Sequence, residues 1–199
     1  MRSAIGLMGR QGYEGTSTRD ISTAAGISAA ALYYHFPSKL DLLREFLFEA
    51  YEVVLERMER DVAAAGDGGR ARLDAAVSTV ILSNLHSEWA QLASQVALRE
   101  LGRLDEADRA KVAATRDRMV DVIEAAIKAG VKAGDFTTRD TRVAALAVLG
   151  LCLSVIELYP EMDRPLPAVV ELYQRFAVAL ASTPAAAKPK RKRKPTQPS

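Results

Sequence analysis

The chain has 199 residues, 49% of them hydrophobic, with 27 Lys+Arg against 25 Asp+Glu and one cysteine. The apolar fraction sustains a packed core. A lone Cys152 excludes an intrachain disulfide framework, and two histidines, His35 and His86, are too few for a structural zinc site, so neither metal nor cofactor is expected. The formal charge of +2 hides an asymmetry: residues 1–44 are net basic, KPKRKRK at 188–194 is wholly cationic, and the stretch between them is acidic. Basic ends around an acidic middle point to ends that meet a polyanion. The longest uncharged apolar run, at 143–156, is too short to span a bilayer, and the N-terminus lacks a signal-peptide pattern. A cytoplasmic protein with no membrane contact is the expectation.

Helical periodicity dominates, and nothing alternates with period two. After a first helix that starts almost at Met1, Ser17 and Asp20 read as an approximate capping box opening a short helix, with Ile21 and Ala24 or Ala25 facing inward and Gly26 at its end. Ser28 caps the next helix, through Ala29, Ala30, Ala31, Leu32, Tyr33, Tyr34, His35 and Phe36; Pro37 stops it, and Ser38 caps a long helix reaching about residue 64. Two short helices joined by a Gly-containing turn are the helix-turn-helix pattern, whose second helix enters the major groove. The side chains suit that task. Tyr33 and Tyr34 carry phenolic donors for phosphates. Thr16, Ser17 and Thr18 offer hydroxyls with Arg19 beside them, and Lys39 sits in a first helical turn, where cation and free amides together favour a phosphate. His35 is a further candidate DNA contact. The alanines at 29–31 touch thymine methyls at most, leaving Ser28 and Tyr34 as base readers and shifting specificity towards DNA shape and half-site spacing.

Further helices are predicted at about 71–85, around 89–98, from an Asp105 cap to Gly134, over 140–158 and from Pro167 to 182. The 140–158 helix is apolar on nearly every face, so it needs cover from its own fold and from something else. The last helix places Val169, Leu172, Tyr173, Phe176, Ala177 and Leu180 on one stripe. Residues 183–199 are read as disordered because they have almost nothing to bury, and their cations as an anchor that neutralises phosphates without reading sequence.

The runs GYEGTSTRDISTAAGIS and LYYHFPSKLDLL closely resemble the DNA-binding domain of the TetR (TetR/AcrR) family of bacterial transcriptional regulators. The resemblance implies an all-α homodimer: a three-helix DNA-binding domain (1–45), a helical ligand-binding and dimerisation domain (46–182) and the basic tail (183–199). The implied partners are a double-stranded DNA operator, a second copy joined through helices at about 140–158 and 167–182, and a small effector. Two departures stand out: few residues precede the first helix, so the true start lies upstream or an arm is missing, and the recognition helix is alanine-rich. The segment IELYPEMDRPLPAVVELYQRFAVAL resembles the subgroup that senses acyl-CoA or steroid-derived thioesters, which makes an acyl-CoA-type effector an expectation and Arg99 a candidate phosphate or carboxylate contact. Trp89, Leu92, Val96, Met119, Ile123 and Leu146 are the candidate pocket walls; His86, Gln95, Arg99 and Tyr159 are the candidate polar contacts. An enzyme is not expected, since no catalytic constellation, HExxH or glycine-rich phosphate loop occurs; Glu52, Glu56 and Glu59 at i, i+4 and i+7 read as a solvated face. A ligand-independent architectural DNA binder is the remaining alternative, distinguished by a filled interior.

Overall fold

The computed structural model describes residues 1–182, all of whose regular elements are helical; the disorder expected for 183–199 lies outside the described residues. The helices are α1 (Arg2–Gln11), α2 (Thr18–Ala25), α3 (Ala29–His35), α4 (Lys39–Ala64), α5 (Gly69–Leu85), α6 (Glu88–Glu100), α7 (Glu106–Ala133), α8 (Thr141–Leu158) and α9 (Leu166–Ala181), with 3₁₀ turns at Leu101–Arg103 and Tyr159–Glu161.

Local capping fixes most of these boundaries. Ser17 and Asp20 form the full reciprocal box before α2, and Gly26 ends that helix at φ 67, a left-handed conformation that costs glycine little. Ser28, Ser38, Ser87, Asp105 and Asp140 each accept a hydrogen bond from the backbone amide three residues on, opening α3, α4, α6, α7 and α8.

Two cores share α4. Its first half sends Leu42, Leu43, Phe46 and Leu47 against Ile5, Met8, Ile21 and Leu32, and that cluster also takes in Ala93 and Val96 of α6, Leu104, and Val112 of α7. Its second half sends Leu55 and Met58 into the larger core of α5, α7, α8 and α9. One rigid helix therefore carries the small N-terminal bundle at one end and packs in the large bundle at the other. Where α5 begins, Gly69 lies directly on the α7 backbone at Gly130; a Cβ there would overlap the Gly130 amide and stand 2.8 Å from the Ala126 carbonyl oxygen.

Three packing details differ from the sequence expectation. Ala24 and Ala25 are exposed; the buried positions of α2 are Ile21 and Ser22. The α9 stripe splits in two: Val169, Tyr173, Ala177 and Ala181 are buried, while Phe176 stays 45% exposed and Leu172 is half-buried, because both faces of this helix are apolar and only one meets the core. Finally, Thr141–Glu161 is long and apolar enough, by composition, to cross a membrane, which the shorter uncharged run did not suggest. Here its inner face, including Ala145, Val148, Cys152 and Val155, is buried in the bundle.

Candidate nucleic-acid interface and ligand cavity

The α2–α3 pair presents its polar groups outward. Tyr34 is 85% exposed at the end of α3, its ring edge-on to His35 at 5.3 Å, and Tyr33 is held at 2.9 Å by a hydroxyl–hydroxyl bond to Thr18 at the start of α2. That bond fixes α3 against α2 with groups that are both exposed to solvent. Ser28, Ala29, Ala30 and His35 are exposed and Ala31 is half-buried. Arg19 is exposed with no carboxylate within 4.0 Å among the described residues, whereas Arg10 faces Glu88 at 3.7 Å and Arg44 binds Asp41 at 2.8 Å.

Two expected phosphate contacts are engaged within the protein. Thr16 is fully buried, its hydroxyl donating to the Gly12 carbonyl at 2.7 Å, because it closes the α1–α2 loop from inside; its side chain is not on the surface. Lys39 donates to the Tyr13 and Thr16 carbonyls at 2.7 and 2.9 Å, with its ammonium 4.0 Å from the Tyr13 ring centroid. Two of its three donors are spent on the loop, so it fastens α4 to the segment entering α2.

Ser17 is exposed, and its hydroxyl and amide both donate to the Asp20 carboxylate, at 2.6 and 3.0 Å, which holds that carboxyl below its ordinary pKa. A depressed folded-state pKa stabilises the helix start above the unfolded value near 3.9 and loses that contribution as pH falls through the folded one. The difference in thermal midpoint between the wild type and Asp20→Asn is therefore expected to stay constant down to about pH 5 and shrink below about pH 4. A difference that persists unchanged in acid contradicts this role.

The second site lies between α4, α5, α6, α7 and α8: a cavity of about 420 Å³, in the size range of small-molecule sites. Its walls are mainly apolar, with Phe46 and Val53 of α4, Ala93 and Leu98 of α6, and Leu153 of α8. Of the sequence candidates, His86, Trp89 and Met119 line it. The His86 Nδ1 stands 2.8 Å from the Leu82 carbonyl oxygen, and the Trp89 ring carries Arg2 at 4.9 Å. Gln95 and Arg99 instead line a smaller cleft of about 300 Å³ with Glu157 and Pro160; it shares Leu98 and Ile156 with the main cavity.

The other candidates lie elsewhere. Tyr159 belongs to neither lining; at the end of α8 its ring packs on the large core. Val96 belongs to the N-terminal core, Ile123 to the large core, Leu92 meets α1 at Gly9, and Leu146 faces outward on α8. The sequence reading missed Ser83, Asn84, Ser94, Arg57 and Arg116, all of which line the cavity. Arg57 had a signal: it lies seven residues beyond Ala50 on the same α4 face.

Comparison with known proteins agrees with both halves. Residues 1–46 match the family described as bacterial regulatory proteins of the tetR family, and residues 66–161 match the tetracyclin repressor-like C-terminal domain. The HTH-type transcriptional repressor KstR2 of Rhodococcus jostii is 37% identical over 76 residues, covering 38% of this chain and 37% of that protein, so the chain spans little more than a third of that relative's length. A tetR-family regulatory protein from Rhodococcus RHA1 has the same fold at a TM-score of 0.79, with 26% identity over 91% of this chain and 94% of its own. AibR, solved with isovaleryl coenzyme A and operator DNA, shares the fold at a TM-score of 0.74 and 24% identity, over 92% of this chain and 96% of its own. With a helix-turn-helix matched at one end and a tetracyclin repressor-like domain at the other, this chain belongs to the TetR family of bacterial regulatory proteins.

Proposed function

We propose that the chain is a dimeric, ligand-responsive repressor of the bacterial cytoplasm, with residues 1–45 reading an operator and residues 46–182 binding a small hydrophobic or acyl-CoA-type effector that releases it. As a member of this family it is a transcriptional regulator rather than an enzyme. The observation that carries the ligand-responsive reading is the lined cavity, because one of its walls is the same α4 that anchors the DNA-binding bundle. A ligand-independent architectural binder would have no use for that space. The coenzyme A thioester in AibR supports the effector class.

On DNA, Ser17, Thr18, Arg19, Tyr33, Tyr34 and His35 supply phosphate and groove contacts, with Ser28 and Ala29–Ala31 against base edges. Dimerisation uses the outer faces of α8 and α9, where Val143 (58% exposed), Leu146 (49%) and Phe176 would otherwise face water. A symmetric dimer sets the two recognition helices about 34 Å apart, one turn of DNA.

The route from cavity to DNA runs through the end of α6. Leu98 and Leu101 line the cavity, and two residues on, Arg103 bonds Glu14 at 2.6 Å, pairs with Glu100, and holds its guanidinium 4.4 Å from the Tyr13 ring that Lys39 also covers. An effector that displaces α6 thus pulls on the loop leading into α2. Exposed ion pairs add little stability, so Arg103 matters for coupling rather than folding. Arg103→Ala is expected to keep operator affinity within about threefold while cutting the effector-induced loss of affinity about tenfold. Titration of an operator complex with effector checks this, and a full response in the variant contradicts it. The function as a whole is tested by retention of a specific duplex and its release by a cavity ligand.

A further inference from the structure

Resting on the reading of the cavity as the effector site, we infer that its ligand is an oxygenated anionic amphiphile: an apolar body bearing a hydroxyl or keto oxygen, closed by an anionic group that Arg116 and Arg57 hold. The oxygen is called for by the polar part of the wall. The Ser83 hydroxyl is shut off from solvent and has no hydrogen-bond partner among the described residues. Its neighbours on α5 are provided for, since Ser78 donates to the Asp74 carbonyl at 2.8 Å and Asn84 to the Val80 carbonyl at 2.6 Å. Asn84 also accepts from Ser94 at 2.6 Å, which leaves one amide hydrogen of Asn84 and the acceptor side of Ser94 unspent, and both residues line the same cavity. A buried hydroxyl without a partner is unfavourable in an apolar enclosure, and a ligand oxygen at that position relieves it.

The anion is called for by the cations. Arg57 of α4 and Arg116 of α7 both line the cavity, and among the described residues neither has a carboxylate within 4.0 Å. The nearby α4 carboxylates Glu52 and Glu59 are engaged by Arg118, at 3.2 and 3.6 Å. Arg2 is stacked on Trp89. The one carboxylate in the wall, Glu49, precedes Arg57 by eight residues of α4, roughly 12 Å along the helix axis. The cavity wall thus carries two cations, Arg57 on α4 and Arg116 on α7, beside a mainly apolar lining, with its free hydrogen-bonding groups on α5 and α6. A carboxylate or a phosphate satisfies the cations equally, so a free acid and a coenzyme A thioester share this chemistry.

The test uses decanoic acid, its monohydroxy isomers and decanol, the acids also as coenzyme A thioesters, titrated calorimetrically into the full chain and, in parallel, into its operator complex. At least one hydroxy isomer is expected to bind about tenfold more tightly than its unsubstituted parent, since a site built to bond an oxygen rejects the analogue lacking it. Ser83→Ala is expected to erase that preference while leaving decanoate affinity unchanged, and Arg57→Gln with Arg116→Gln to weaken every anion about tenfold while sparing decanol. Tighter binding of the acids supports a free carboxylate as the anion; tighter binding of the thioesters supports a coenzyme phosphate. Equal binding of hydroxylated and plain chains, a preference that survives Ser83→Ala, decanol binding as well as the acids, or no binding by any compound overturns the inference. Binding as expected without any change in operator affinity leaves the ligand chemistry standing and removes the effector reading instead.

Discussion

Leu146→Asp, alone or with Phe176→Asp, is expected to convert the dimer to a monomer and to lower operator affinity by about a hundredfold or more. Leu146 and Phe176 lie on the outer apolar faces of α8 and α9 and stay 49% and 45% exposed. In a twofold interface each substitution appears twice, so two carboxylates are forced from water towards each other and towards apolar surface. The loss on DNA is larger than the local damage. A dimer converts the second half-site contact into an intramolecular event at high effective concentration, and a monomer forfeits that entirely. Light scattering and gel shift on the same sample separate the two effects. The charge sits outside both cores, so the helical content and the cavity survive. A monomeric variant that holds the operator as tightly as the wild type contradicts the assigned interface.

Gly69→Ala is expected to destabilise the fold by about 3 kcal/mol, lowering the thermal midpoint by roughly 10 °C. On an exposed helix the same exchange would stabilise by up to about 1 kcal/mol, because alanine is the better helix former. Here the start of α5 rests on the α7 backbone, and the added methyl would meet the Gly130 amide and the Ala126 carbonyl. Neither can swing aside as a side-chain tip can, so two long helices must separate. Gly102→Ala is the control: nothing lies within 4 Å of its Cβ position, and its stability is expected to stay within about 0.5 kcal/mol of the wild type. A Gly69→Ala protein as stable as that control contradicts the close helix contact.

Much of the DNA-binding end could be read directly from the chain because its signals are local. Ser17, Ser28 and Ser38 each find a partner three residues on, and Gly26 acts through its own backbone, so capping chemistry alone marks α2, α3 and the start of α4. Thr16 and Lys39 escaped that logic. Burial of Thr16 follows from how the α1–α2 loop closes, and the carbonyls that hold Lys39 lie 26 and 23 residues before it. The cavity was legible where an aromatic or a sulfur sits on an otherwise core-like stripe, as with Trp89 and Met119. Arg57 and Arg116 were not singled out, because their placement depends on how α4 and α7 pack with α5, α6 and α8. Tyr159 is the complementary case: a tyrosine at a helix end offers a polar tip, while tertiary packing sets its ring against the core. In α9, periodicity showed that the helix is apolar without dividing the face that meets its own bundle from the face left exposed.

The most direct test is to incubate the purified full chain with sheared DNA of its own genome at low salt and sequence the fragments it retains. Enrichment of a few short inverted repeats, with half-site centres about 10 base pairs apart, is the result expected of a paired helix-turn-helix. Retention of fragments in proportion to their length, with no sequence enriched, would contradict it.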